Sequence, residues 1–170
     1  MKRLIQFTFL GAIAASLVFT SCKDEEEGDP VRGQFTLGGQ TYTLNKGELE
    51  DFGGNGNGSY DWDIRLTSSD VNVSEFSGTG NLVYLDLNTD SEDGLVSGTY
   101  TFAEEREEFT IVDASVFANF NFDEEGGTFY VDFIGGSVEL TVSGNEVTVE
   151  FDLEFDEGDV SGSYTGTLED

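Results

Sequence analysis

The chain has 170 residues, with 35 acidic against seven basic side chains, no histidine, one cysteine and a formal net charge of −28 at neutral pH. So acidic a surface repels phosphate backbones and excludes nucleic acid as a partner. Without histidine, Ser–His and Cys–His nucleophilic sites and the usual zinc, copper and haem centres are excluded as well. The length suits one domain plus an export signal.

Taken in chain order, Met1-Lys2-Arg3 forms a positive start, Leu4 to Phe19 is mostly apolar, and the small residues Thr20 and Ser21 precede Cys22. The apolar core is short for a membrane span, and the pattern is that of a removable signal peptide over residues 1–21. Leu17-Val18-Phe19-Thr20-Ser21-Cys22 resembles a bacterial lipobox, which implies that Cys22 is lipidated and becomes the mature N-terminus. Acyl chains such as palmitate would then hold the protein on a membrane, each buried CH₂ contributing about 0.8 kcal/mol. Cleavage there leaves Lys23, Arg32, Lys46, Arg65 and Arg106 against 35 acidic residues, a net charge of −30.

Residues 22–32 read as a polar, acidic tether (Lys23-Asp24-Glu25-Glu26-Glu27-Gly28-Asp29-Pro30), too poor in apolar residues to fold. This stretch resembles the acidic tract behind the lipidated cysteine of surface-displayed Bacteroidota lipoproteins. The resemblance implies an outer-membrane lipoprotein facing the extracellular side.

From residue 33 to 170 the chain reads as a single all-β domain. Alternating runs rich in Val, Thr, Phe and Tyr, cut by Gly, Asn and Asp, predict strands over Gln34–Leu37, Thr41–Leu44, Ser59–Thr67, Phe109–Phe122 with a break near Asp113, and Thr128–Ile134. In Ser59–Thr67 the residues Tyr60, Trp62, Ile64 and Leu66 share the inward face, leaving Asp61, Asp63 and Arg65 outside. The last third predicts a three-stranded meander. Gly144-Asn145 is a two-residue hairpin turn that sets Val142 opposite Val147, Leu140 opposite Val149 and Val138 opposite Phe151. A four-residue turn at Asp156–Asp159 then sets Val160 opposite Phe155, Gly162 opposite Leu153 and Tyr164 opposite Phe151.

Val96-Ser97-Gly98-Thr99-Tyr100-Thr101 nearly repeats Val160-Ser161-Gly162-Ser163-Tyr164-Thr165. By analogy the first copy pairs back on its preceding strand, with Leu87 opposite Val96, Leu85 opposite Gly98 and Val83 opposite Tyr100. About nine to ten strands with hairpin and meander connections give an antiparallel β-sandwich or a small β-barrel. The segment Gly136–Leu140 through Gly162–Leu168 resembles the C-terminal Gly-Ser-Tyr-x-Gly-x-Leu meander of small Bacteroidota surface lipoproteins of unknown function, and Gly98–Phe102 their middle strand. That resemblance implies fold and location, and carries no catalytic residue.

For chemistry, Gly53-Gly54-Asn55-Gly56-Asn57-Gly58 lacks the Gly-Lys-Ser/Thr of a phosphate loop and reads as a hairpin loop. Short loops leave little material for a cleft, so an enzyme is not expected. The run Asp86, Asn88, Asp90, Glu92 and Asp93 concentrates oxygen ligands at a hairpin turn and is the candidate calcium site, though Ser91 and Ser97 stand where a calcium loop of the helix–loop–helix type needs Gly and Glu. Tyr84, Asp86 and Asn88 on one outer face, and Tyr130 with Asp132 on another, are the surfaces that would suit a glycan. The expectation is a non-catalytic, lipid-anchored binding or accessory protein whose partner is a glycan or an envelope protein. The alternative is a structural surface component stabilised by divalent cations such as calcium.

Overall fold

The computed structural model describes residues 29–169, so residues 1–21, Cys22 and the tether as far as residue 28 lie outside the described residues. Twelve strands follow one another: β1 (Gly33–Leu37), β2 (Gln40–Leu44), β3 (Lys46–Gly54), β4 (Tyr60–Thr67), β5 (Val71–Asn72), β6 (Ser77–Thr89), β7 (Gly98–Phe102), β8 (Thr110–Asn121), β9 (Gly126–Tyr130), β10 (Phe133–Ser143), β11 (Glu146–Phe155) and β12 (Gly158–Gly166). The fold is all-β, as the alternation demands. Among the described residues no helix is long and apolar enough to cross a membrane.

The strands form one curled sheet in the order β2-β1-β12-β11-β10-β7-β8-β6-β4-β3, with β5 added to β6 and β9 to β8. Its two outermost strands, β2 and β3, are consecutive in sequence and joined by Asn45 alone. A flat sheet of ten strands at about 4.8 Å spacing would part its ends by roughly 40 Å, so the sheet has to curl into an open barrel whose ends meet at this corner. Glu169, beyond β12, bridges the same seam: its amide donates to the Gly47 carbonyl at 2.9 Å, and the Leu49 amide donates to its carbonyl at 2.7 Å.

The concave face holds the core. It is built from Phe35 and Leu37, Ile64 and Leu66, Val83, Leu85 and Leu87, Tyr100, Val138 and Leu140, the alternate residues Val147 to Phe155, and Val160 with Tyr164. On β8 the inward positions are Ile111, then Ala114, Val116 and Ala118. The change of parity is absorbed by a bulge at Val112, where the pairs Leu87–Ile111 and Asp86–Asp113 are out of step. The break expected near Asp113 is thus a bulge within a continuous strand.

The meander β10-β11-β12 has the expected Gly144-Asn145 register, with Val142 on Val147, Leu140 on Val149 and Val138 on Phe151. Two expectations are corrected. The second turn is tighter than four residues: Phe155 pairs Gly158, Leu153 pairs Val160, Phe151 pairs Gly162 and Val149 pairs Tyr164. Because the slip is two residues, every side chain keeps its face. The first repeat copy does not fold back on β6. Both edges of β6 are taken by β4 and β8, and β7 pairs β10 instead, with Gly98 on Leu140 and Tyr100 on Val138. Strands β3 and β5 were not expected; β3 carries one apolar aliphatic residue, Leu49, between charged neighbours, and β5 is two residues long.

Candidate functional site

Outward side chains of a curled sheet are ordinarily wet, yet those in the middle of β4 and β6 are not. Register puts Asp61 opposite Asn88, Asp63 opposite Asp86 and Arg65 opposite Tyr84. All six share the convex face, since their neighbours Trp62, Ile64, Leu85 and Leu87 point inward. Asp63, Asp86 and Asn88 are 5%, 4% and 0% exposed, and the Asp61 side chain 13%.

The cover is the loop between β7 and β8. These two strands are parallel neighbours, Thr101 beside Thr110 and Phe102 beside Ile111, so the chain has to double back between them. Residues Ala103–Phe109 do this over the convex face, anchored by the Phe109 amide on the Asn88 carbonyl at 2.7 Å. Phe109 has a left-handed backbone (φ 58°), a costly state for a bulky residue. Its ring packs at a tilt of 52° against Tyr100, 5.5 Å between centroids, which helps to hold it. The neighbouring 53–58 loop clips the same segment: Asn57 Nδ2 donates to the Arg106 carbonyl at 2.6 Å.

This places the Arg106 guanidinium between two carboxylates. Nη1 donates to Asp86 Oδ1 and Nη2 to Asp86 Oδ2, both at 2.6 Å, and Nη1 lies 2.6 Å from Asp61 Oδ2. The fork on Asp86 is the strong bidentate form of the arginine–carboxylate pair. Arg65 spends itself mainly on Glu50 at 2.5 Å and reaches Asp63 only at 3.5 Å. Three carboxylates in a poorly hydrated patch are therefore served by one close guanidinium and one distant one. Their ligand oxygens lie within 4.8 Å of one another, and among the described residues this is the one such group of three acids.

The electrostatics follow. Burial, then the Asp86 charge, push the Asp61 carboxyl up to about 6 despite Arg106. Burial pushes Asp63 up to about 6 as well, against a hydrogen bond from Tyr84. The Tyr84 hydroxyl is pushed up strongly by burial and by the charge of Asp63. A carboxyl raised above its unfolded value of 3.8 favours the folded state below that value, and the advantage is lost as pH rises through about 6. In chelator-treated buffer the melting temperature is therefore expected to rise by on the order of 5 °C from about pH 7.5 to about pH 5. Asp63→Asn should flatten that slope, and a melting temperature that falls over this interval contradicts the assignment.

The sequence-derived calcium residues are separated by the structure. Asp86 and Asn88 lie in the buried patch on β6, whereas Asp90, Glu92 and Asp93 lie beyond the strand end, exposed, and do not join a group of three acids. Of the surfaces suited to a glycan, Tyr84, Asp86 and Asn88 do share a face, but it is covered. Tyr130 packs inward against Phe155, 6.0 Å between centroids. Asp61, Asp63 and Arg106 were not singled out from sequence. One signal was available: Arg106 is the lone base in Glu104-Glu105-Arg106-Glu107-Glu108. No family model matches the chain, and no curated protein or solved structure matches it.

Proposed function

We propose that the protein is a non-catalytic, lipid-anchored binding or accessory domain of the bacterial cell envelope, held to the outer membrane through Cys22 and displayed toward the outside. The observation that carries this reading is the order of segments: a basic start, an apolar run, a lone cysteine after small residues, and an acidic stretch leading directly into a β-domain whose first strand begins at Gly33. The absence of histidine and the engagement of Asp86 by Arg106 favour a non-catalytic role over carboxylate acid–base chemistry. The expected partner is a glycan or a neighbouring envelope protein. Replacing Cys22 by Ser should abolish incorporation of labelled palmitate and move the protein from the membrane to the soluble fraction. Full membrane retention of the unlabelled variant would refute the anchor.

A second reading, a structural surface component stabilised by divalent cations, is favoured by one observation: the Asp61–Asp63–Asp86 group carries more negative charge than its two arginines neutralise.

A further inference from the structure

We infer that Asp61, Asp63 and Asp86 form a divalent-cation site, of calcium type, in which the Arg106 guanidinium takes the cation's place when the metal is absent. The inference rests on the second reading above and gives it a location away from the exposed turn.

The distances suit the ion. Calcium binds oxygen at 2.3–2.6 Å, so opposite ligands stand up to about 5.2 Å apart. The three carboxylates offer oxygens within 4.8 Å of one another, and they sit on adjacent, paired strands, a rigid support. Carboxylates alone do not make a site, but two further atoms point to something between these strands. Asp61 Oδ1 is buried and accepts no hydrogen bond, and Asn88 Nδ2 is buried and donates none. Asn88 is fully buried, stands directly opposite Asp61 and is two residues along from Asp86 on the same face. Its Oδ1 is already satisfied by Asn55 Nδ2 at 2.8 Å, which leaves the amide donor unspent beside the cluster. Leaving two buried polar atoms unpaired is costly. A hydrated cation accounts for both: the free carboxylate oxygen ligates the metal, and the amide donates to a lone pair of a metal-bound water.

Arg106 is suited to the exchange. Its side chain is 39% exposed at the edge of the patch while Asp86 beneath it is 5%. The loop is held through the Arg106 carbonyl, by Asn57 and by Ser59 Oγ at 3.3 Å, and not only through the guanidinium. The side chain can therefore leave without releasing the loop.

The test is a melting curve of the purified chain in detergent, with calcium against magnesium and sodium at matched ionic strength, since any salt screens a charge this large. Calcium should raise the melting temperature saturably, by on the order of 5 °C. Asp63→Asn should abolish that shift, and Arg106→Gln should enlarge it, because the competing cation is gone. A calcium-specific shift that survives Asp63→Asn overturns this site and leaves the cation reading standing. An equal response to all three salts overturns both. If Arg106→Gln yields no folded protein in chelator, the wild type and Asp63→Asn decide the matter alone.

Discussion

Arg106→Gln is expected to lower stability by about 2–3 kcal/mol in chelator-treated buffer, measured by urea unfolding. Removing one partner of a buried ion pair leaves the other charge desolvated, and costs about 3–5 kcal/mol when both groups are fully buried. Here Asp86 is buried but the Arg106 side chain is 39% exposed, so the cost falls below that range. Two carboxylates, Asp61 and Asp86, lose their nearest positive charge together. The double variant Arg106→Gln with Asp86→Asn should recover part of the loss, because the stranded charge is then gone. Additive losses in the double variant would mean that the two side chains do not act as a pair. With the guanidinium removed, Ala103–Phe109 stays anchored through its main-chain bonds to Asn57, Ser59 and Asn88, so proteolysis within Glu104–Glu108 should be little changed.

Gly162→Ala is expected to cost about 3 kcal/mol or more, well above the analogous Gly98→Ala at about 1 kcal/mol. The two glycines stand at the same place in the repeated Val-Ser-Gly-x-Tyr-Thr segment, but their surroundings differ. A methyl group on Gly162 would come within 2.5 Å of the Gln34 carbonyl, 2.6 Å of the tip of the Phe151 ring and 2.7 Å of Phe35 Cβ. The carbonyl is backbone, fixed by the β1–β12 ladder, and Phe35 lies on that same ladder. Neither has room to yield. On Gly98 the methyl would meet only the edge of the Phe109 ring at 3.0 Å, and a ring at the end of a loop can tilt. Equal destabilisation of the two variants, by thermal or urea unfolding, would show that the repeat is a matter of strand chemistry and that the local packing is irrelevant.

The fold was legible where alternation and turn chemistry agree. Gly144-Asn145 sets one register, and a one-residue slip would expose Val138, Leu140 and Val142. The pattern is silent on which strand is the partner. The repeat predicts Leu85 and Val83 as partners of Gly98 and Tyr100, whereas these pair Leu140 and Val138, which offer the same alternation of branched residues. Nothing local distinguishes the two choices; the decision is made by β4 and β8 occupying both edges of β6. The candidate site was half legible for the same reason. Alternation placed Asp61, Asp63 and Arg65 on one outer face and Tyr84, Asp86 and Asn88 on another. That these are one surface depends on the pairing of β4 with β6, and that the surface is covered depends on the parallel placement of β7 beside β8. Both are non-local. Proximity in sequence groups Asp90, Glu92 and Asp93 with Asp86. The end of β6 at Thr89 carries them out of the sheet, and Asp61 and Asp63 take the neighbouring places on the next strand.

The corner at Asn45 bears on how the domain assembles in time. Strand β1 pairs Gly33 with Tyr164 and Leu37 with Val160, and the β2–β3 seam is bridged by Glu169. The first hydrogen-bonded segments of the domain therefore have to wait for the last, while the hairpins around Gly144-Asn145 and Asp156-Glu157 join neighbours only a turn apart. Closing a loop that spans nearly the whole domain is among the slower steps available to a chain of this size, and contacts of this range are associated with folding in milliseconds to seconds. The meander β10-β11-β12 is built from short-range pairings, and the β1–β2 hairpin can dock onto it only once β12 is in place. A chain threaded N-terminus first through a narrow channel would hold the outer edge of the β1–β2 hairpin unpaired until the final residues had followed it out.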